Sequence, residues 1–153
     1  EMSERIRYQA AILRDDQILL IKHREFGTGR EYWIIPGGGR EEGESEEECV
    51  QREMREETHL DVSVERLLLN QEIEPNKFYN RTKTFLCRVV SGEPSPGYEP
   101  EAIEPGHSAI VEVRWFDLHH PENWDALLLS DRITFSLMQR IQAAMGYTVA
   151  KTS

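Results

Sequence analysis

Residues 38–60 read GGREEGESEEECVQREMREETHL, a glycine loop running into a short, strongly acidic segment. Within it Glu53, Glu56 and Glu57 are spaced i, i+3, i+4, so a helix places all three carboxylates on one face. Like charges at that spacing cost about 0.2–0.5 kcal/mol per pair in exposed helices. A face built only for solubility would alternate signs. A divalent cation removes the repulsion, and carboxylate oxygens suit hard cations such as Mg²⁺. Ser45, with Glu48 three residues later, forms a capping-box start, and Glu46, Glu47 and Glu48 favour the positive end of the helix dipole. The spacing predicts a helix to about Thr58, with Val50 and Met54 facing the core.

Glutamates are good helix formers, and most charge runs are solvated faces. What tells against that reading is the company of fixed glycines, Glu44 and Arg52. With these the stretch resembles the Nudix box. That pattern is Gly, five residues, Glu, seven residues, Arg-Glu, an aliphatic, any residue, Glu-Glu, any residue, Gly and an aliphatic. Gly38, Glu44, Arg52, Glu53, Met54, Glu56, Glu57 and Leu60 fit it, and His59 stands where the family has glycine. YWIIPGGG ahead of the box and VEVRWF after it are also similar to the family.

The resemblance implies hydrolysis of a P–O–P bond in a nucleoside diphosphate linked to a further group, with divalent cations. Phosphoanhydrides are shielded by negative charge, so such a site must neutralise oxygens and align a water. By carry-over, Glu53, Glu56 and Glu57 hold the metal, Mg²⁺ or alternatively Mn²⁺, joined by a backbone carbonyl near Gly37 or Gly38. Gly37, Gly38 and Gly39 supply the loop geometry, and Arg52 pairs with Glu44 to join loop and helix. The general base is Glu56 or an acidic residue of a later loop, Glu101 or Glu104, with Glu112 a third choice. His59 is expected to end the helix in a left-handed conformation, at some cost for a residue other than glycine.

The remaining chain supports one α+β domain over residues 2–153, a Nudix-like α/β/α sandwich with a mixed sheet flanked by helices. Residues 5–14 and 17–24 read as strands joined at Asp15-Asp16, and 32–35 as a short strand. Residues 25–31 read as a mobile loop, whose charges, with Lys22 and Arg24, could reach a substrate phosphate. Residues 60–73, 82–90 and 110–116 read as further strands. Residues 91–108, with Pro94, Pro96, Pro100 and Pro105, read as a long loop. Residues 117–125 are turn-rich, and Ser130 or Asp131 caps a helix to about Met145 with Ile133, Leu137, Ile141 and Ala144 on its apolar stripe. Trp33, Tyr32, Phe78 and Tyr79 are candidates to stack on a base, although aromatics near a sheet are more often core.

A net charge of −10 tells against nonspecific nucleic-acid binding, whose affinity comes from Lys and Arg. It does not tell against a small phosphorylated substrate, because a bound cation inverts the local field. No run approaches a membrane span and no secretory signal is read; Met2 is taken as the natural start. Cys49 and Cys87 form no ligand motif, which fits buried thiols in a reducing cytoplasm. The resemblance, which is to MutT-like enzymes, implies a nucleotide-like small molecule as partner, either a nucleoside triphosphate or an ADP-ribose-like compound. Neither nucleic acid nor membrane is expected, and a homodimer is left open. The competing reading is a noncatalytic nucleotide-binding Nudix module with a regulatory role. Such modules tend to lose box carboxylates, whereas this chain keeps them. A calcium loop is excluded by spacing.

Overall fold

The computed structural model describes residues 3–97 and 107–151. Among these, strands β1 (Ile6–Arg14), β2 (Gln17–Glu25), β3 (Glu31–Ile34), β4 (Gly37–Gly38), β5 (Asp61–Glu72), β6 (Arg81–Ser91) and β7 (Ser108–Asp117) form one sheet. Its path is β3-β2-β1-β6-β5, with β4 also on β1 and β7 also on β2. β1 and β6 run parallel, while the other pairs are antiparallel. The sheet is therefore mixed, as expected.

Strand alternation sets the two layers. Tyr8, Ala10 and Ile12 of β1 face helix α1 (Glu46–Thr58), where Cys49, Val50 and Met54 are buried against them. Ala11 and Leu13 face the opposite side, where Trp33, Phe116, Leu128, Phe135, Met138 and Ile141 fill a second core. Helices α2 (Ala126–Ser130) and α3 (Arg132–Met145) cover that side. One helix on one face and two on the other make the α/β/α sandwich. Cys49 and Cys87 are free and buried, and burial pushes both thiols up to about 12.

The hairpin turn falls at Asp15-Asp16, with Arg14 opposite Gln17 and Asp15 in the left-handed region at φ 54°. Three elements differ from expectation. The expected loop at residues 25–31 is present but shorter, spanning 26–30 between strand ends at Glu25 and Glu31: Glu25 N–H donates to the Arg30 carbonyl at 2.8 Å and Arg24 pairs with Glu31 at 2.6 Å. The turn-rich stretch holds a 3₁₀ turn at Pro121–Asn123, with α2 following at once.

Helix α3 is capped by Asp131, but its buried stripe is Thr134, Phe135, Met138, Ile141 and Gln142, while Ile133 is 82% exposed and Ala144 is exposed. Hydrogen bonds set that phase. Thr134 Oγ1 donates to the Trp33 carbonyl at 2.6 Å, and Gln142 Nε2 donates to the Leu118 carbonyl at 2.9 Å. These two polar residues belong to the buried face because they satisfy backbone acceptors there.

Candidate active site

The site is assembled where β4 meets α1. Ser45 Oγ accepts the Glu48 N–H at 3.0 Å and Glu48 Oε1 accepts the Ser45 N–H at 2.8 Å, closing the capping box. This fixes the first turn and hence the rotation of Arg52, Glu53, Glu56 and Glu57. The glycines then bring the loop against that face. A Cβ on Gly37 would lie 2.5 Å from the Tyr8 carbonyl oxygen, and one on Gly38 would lie 2.6 Å from the Glu53 carboxylate. Gly37 meets backbone and admits no side chain, whereas at Gly38 a side chain would have to push the Glu53 carboxylate aside. Gly39 is less confined, and its carbonyl accepts from Arg52 at 3.0 Å.

Arg52 is the hub. Its Nε donates to Glu44 Oε2 at 2.6 Å and an Nη to Glu44 Oε1 at 3.0 Å, a two-point clasp of loop and helix. The other Nη donates to Glu53 at 2.9 Å and to Glu56 at 3.1 Å. The hydrogen bonds from Arg52 hold the Glu44 carboxyl below its usual range, and Glu44 in turn raises the Arg52 guanidinium further. Burial pushes the Glu53 carboxyl up; Arg52 opposes the shift and the neighbouring Glu56 charge adds to it. Glu53 is 8% exposed and Glu57 only 1%. Glu57 Oε1 accepts the Gly37 N–H at 2.7 Å, so this carboxylate also ties loop to helix.

Among the described residues no group of three or more His, Cys, Asp or Glu side chains is gathered closely enough to hold a metal ion. The reason is visible in the bonds above: Arg52 engages Glu53 and Glu56, while Glu57 leans on the glycine loop. The donor set nevertheless fits a hard cation. One guanidinium is bonded to three carboxylates, and two of the four acidic groups here are almost wholly buried. Buried carboxylates are stabilised by a nearby cation, and their oxygens are the donors a hard divalent ion prefers.

The far end of α1 carries a second clamp. His59 caps the helix at φ 62°, as its place in the box suggests. Its Nδ1 lies 2.6 Å from Ser95 Oγ; the Ser95 N–H donates to the Thr58 carbonyl at 3.0 Å and the Gly97 N–H to the Glu57 carbonyl at 2.8 Å. Residues 92–97 thus satisfy carbonyls that a helix end leaves open. A Cβ on Gly97 would collide with the Glu56 carbonyl oxygen, so only glycine sits there.

Other expected participants fare differently. Glu101 and Glu104 lie outside the described residues. Glu112 is held by Arg114 at 2.6 Å and Lys22 at 3.2 Å; burial works against its ionisation, yet these cations bring the carboxyl below its usual value. Lys22 and Arg24 are therefore both paired with carboxylates. Trp33 is fully buried, edge-on to Phe116 at 5.0 Å, and cannot stack on a ligand. Tyr32 stacks on His23 at 5.4 Å. Phe78 is 51% exposed beside Tyr79, whose hydroxyl would lie 3.8 Å from a Cβ on Gly39. Of the four aromatics, Tyr79 is the one placed at the glycine loop. Arg7 of β1 was not singled out by the sequence; it is a cation whose field acts to lower the Glu53 carboxyl.

Comparison with known proteins agrees with this geometry. The family described as NUDIX domain matches residues 5–134. The NAD-capped RNA hydrolase NudC of Vibrio atlanticus (strain LGP32) is 34% identical over 109 residues, covering 71% of this chain and 35% of that protein. YjhB of Bacillus subtilis (strain 168), provisionally named an ADP-ribose pyrophosphatase, is 32% identical over 107 residues, covering 67% of this chain and 47% of its own. The chain thus spans less than half the length of either curated relative. The crystal structure of a MutT NUDIX hydrolase from Burkholderia pseudomallei superposes with a TM-score of 0.68 at 27% identity, over 91% of this chain and 98% of the other.

Proposed function

The chain belongs to the Nudix family, and on that footing we propose that it is a metal-dependent pyrophosphohydrolase acting on a nucleoside diphosphate linked to another group. The observation that carries this reading is the packing of a glycine loop directly against the buried carboxylates Glu53 and Glu57 of one helix face. Glu53, Glu56 and Glu57 would hold Mg²⁺, with Mn²⁺ as the alternative. The cation would supply charge neutralisation at the phosphoryl oxygens and a more acidic bound water.

The protein's own groups do the rest. Arg52 and Glu44 keep the loop seated on α1, and the Gly37 N–H orients Glu57. Glu56, more exposed than Glu53, is the first choice to take a proton from the attacking water. Glu101 and Glu104 are the alternatives. We take residues 2–153 as one such domain, acting in the cytoplasm on a small nucleotide, with a homodimer as the assembly to test by light scattering. Among the described residues no helix is long and apolar enough to cross a membrane. The names of the relatives put NAD-capped RNA and ADP-ribose beside nucleoside triphosphates as substrates to try.

The test is product analysis with Mg²⁺ and a panel of nucleoside triphosphates, oxidised triphosphates, ADP-ribose, dinucleoside polyphosphates, nucleotide sugars and NAD-capped RNA, with Glu57→Gln as control. Metal-dependent turnover lost in the control supports the hydrolase, and the best substrate names its class. Nucleotide binding without turnover would favour the regulatory module instead.

A further inference from the structure

On β1, Arg7 and Gln9 share one face of the strand. Gln9 is 3% exposed and Thr84 of the adjoining β6 is fully buried. Gln9 Nε2 donates to Thr84 Oγ1 at 2.9 Å, which leaves Gln9 Oε1 to accept Arg7 Nε at 3.1 Å. An Arg7 Nη donates to the Ile35 carbonyl at 2.9 Å, immediately before Pro36 and the glycine loop. Gln9 itself packs against Gly37, 2.7 Å from where a Cβ would stand. A buried amide and a buried hydroxyl thus orient a guanidinium at the loop that borders Glu53.

The bonds that orient Arg7 are to neutral acceptors, and its field reaches the Glu53 carboxylate without a hydrogen bond to it among the described residues. The other arginine of the site, Arg52, has its donors taken by three carboxylates and the Gly39 carbonyl. A guanidinium carries five N–H donors in a rigid fork, and the two bonds found here use two of them. The remaining fork matches two oxygens of a phosphate. Arg7 is half-buried, so an anion reaching it would be partly shielded from water, where a charged hydrogen bond is stronger.

We infer that Arg7 is a substrate-binding residue that takes non-bridging oxygens of the pyrophosphate group of a nucleoside diphosphate derivative, with Gln9 and Thr84 as its positioning residues. The inference rests on the hydrolase reading above, and it adds a cationic contact outside the box.

The test compares wild type, Arg7→Met and Arg7→Lys for calorimetric affinity toward α,β-methylene-ADP with Mg²⁺ and for KM on the best substrate of the panel, with a melting curve for each protein. Arg7→Met is expected to weaken the probe by about 10–100-fold and raise KM in step, as loss of a charged hydrogen-bonding pair does. Arg7→Lys should fall between, because an ammonium keeps the charge and loses the fork. Unchanged affinity and KM in Arg7→Met, with only the melting temperature moved, would reduce Arg7 to a bracket on Ile35 and overturn the inference while the hydrolase stands. Should Arg7→Met fail to fold, wild-type affinity and KM in Arg7→Lys overturn it equally. A wild-type protein that neither binds the probe nor turns over the panel overturns both readings.

Discussion

The Glu53 carboxylate occupies the space that a side chain on Gly38 would need: a Cβ there would meet both its oxygens at 2.6 Å. Loop and helix are in contact at the carboxylate itself. Gly38→Ala must therefore displace Glu53. Stability should fall by about 1–3 kcal/mol, as overpacking of a close-packed site does. Divalent-cation affinity should fall about 10–100-fold, the scale seen when the support of a metal ligand is disturbed. Mn²⁺ titration followed by paramagnetic resonance, beside a denaturant melt, reads the two separately; wild-type Mn²⁺ affinity would remove Glu53 from the ligand set.

Glu57 combines a charge with an acceptor for the Gly37 N–H, and substitution can divide them. Glu57→Gln keeps an acceptor oxygen and removes the charge. Turnover should drop by about 100-fold or more while the melting temperature holds. Glu57→Leu also orphans a buried N–H, which costs about 1–3 kcal/mol. Near-normal turnover in Glu57→Gln would sink its assignment to the metal.

The Arg52–Glu44 clasp should appear in the acid limb of stability. Hydrogen bonds from Arg52 lower the folded carboxyl of Glu44 beneath its ordinary value of 4.5. Its contribution is complete above that value and is lost as pH falls through the lower, folded one. Arg52→Met should cost about 1–3 kcal/mol at neutral pH and make the acid limb shallower. Urea unfolding at pH 7, 4.5 and 3 measures this, and an unchanged acid limb would contradict the linkage.

His59 brings two opposed effects. A left-handed conformation costs a residue with a Cβ about 1–2 kcal/mol, while the bond to Ser95 returns about 0.5–1.5 kcal/mol. His59→Gly should consequently leave stability within about 1 kcal/mol of wild type, whereas Ser95→Ala should destabilise. In a double-mutant cycle Ser95→Ala should cost less once His59 is glycine. Full additivity would mean that the two side chains do not communicate.

The parts of the site that depend on near neighbours were readable in advance. Ser45 and Glu48 close their box within one turn, and the separation of Glu44 from Arg52 is part of the motif. The fold class followed from strand and helix order. What escaped depends on contacts distant in sequence. Nothing local marks two glycines as a strand, yet Gly37 and Gly38 pair with Gln9 and Tyr8. Apolar periodicity misphased α3 because Thr134 and Gln142 earn burial through backbone acceptors on Trp33 and Leu118. Lys22 and Arg24 are held by Glu112 and Glu31, partners that lie on other strands and that local sequence does not mark. Arg7 stood out only once Ile35 and Gln9 were seen to aim it.

The parallel ladder of β1 and β6 also governs how the molecule comes into being. Gln9 pairs with Thr84 across 75 residues, and α1 lies within the intervening chain. During synthesis the capped helix can form early, but β1 has no β6 partner until that later stretch leaves the ribosome. Closing so distant a contact is slow, and an unpaired β1 is open to wrong strands meanwhile. Substitutions in the β1–β6 ladder should therefore act first on folding rate and yield, even where the finished protein tolerates them.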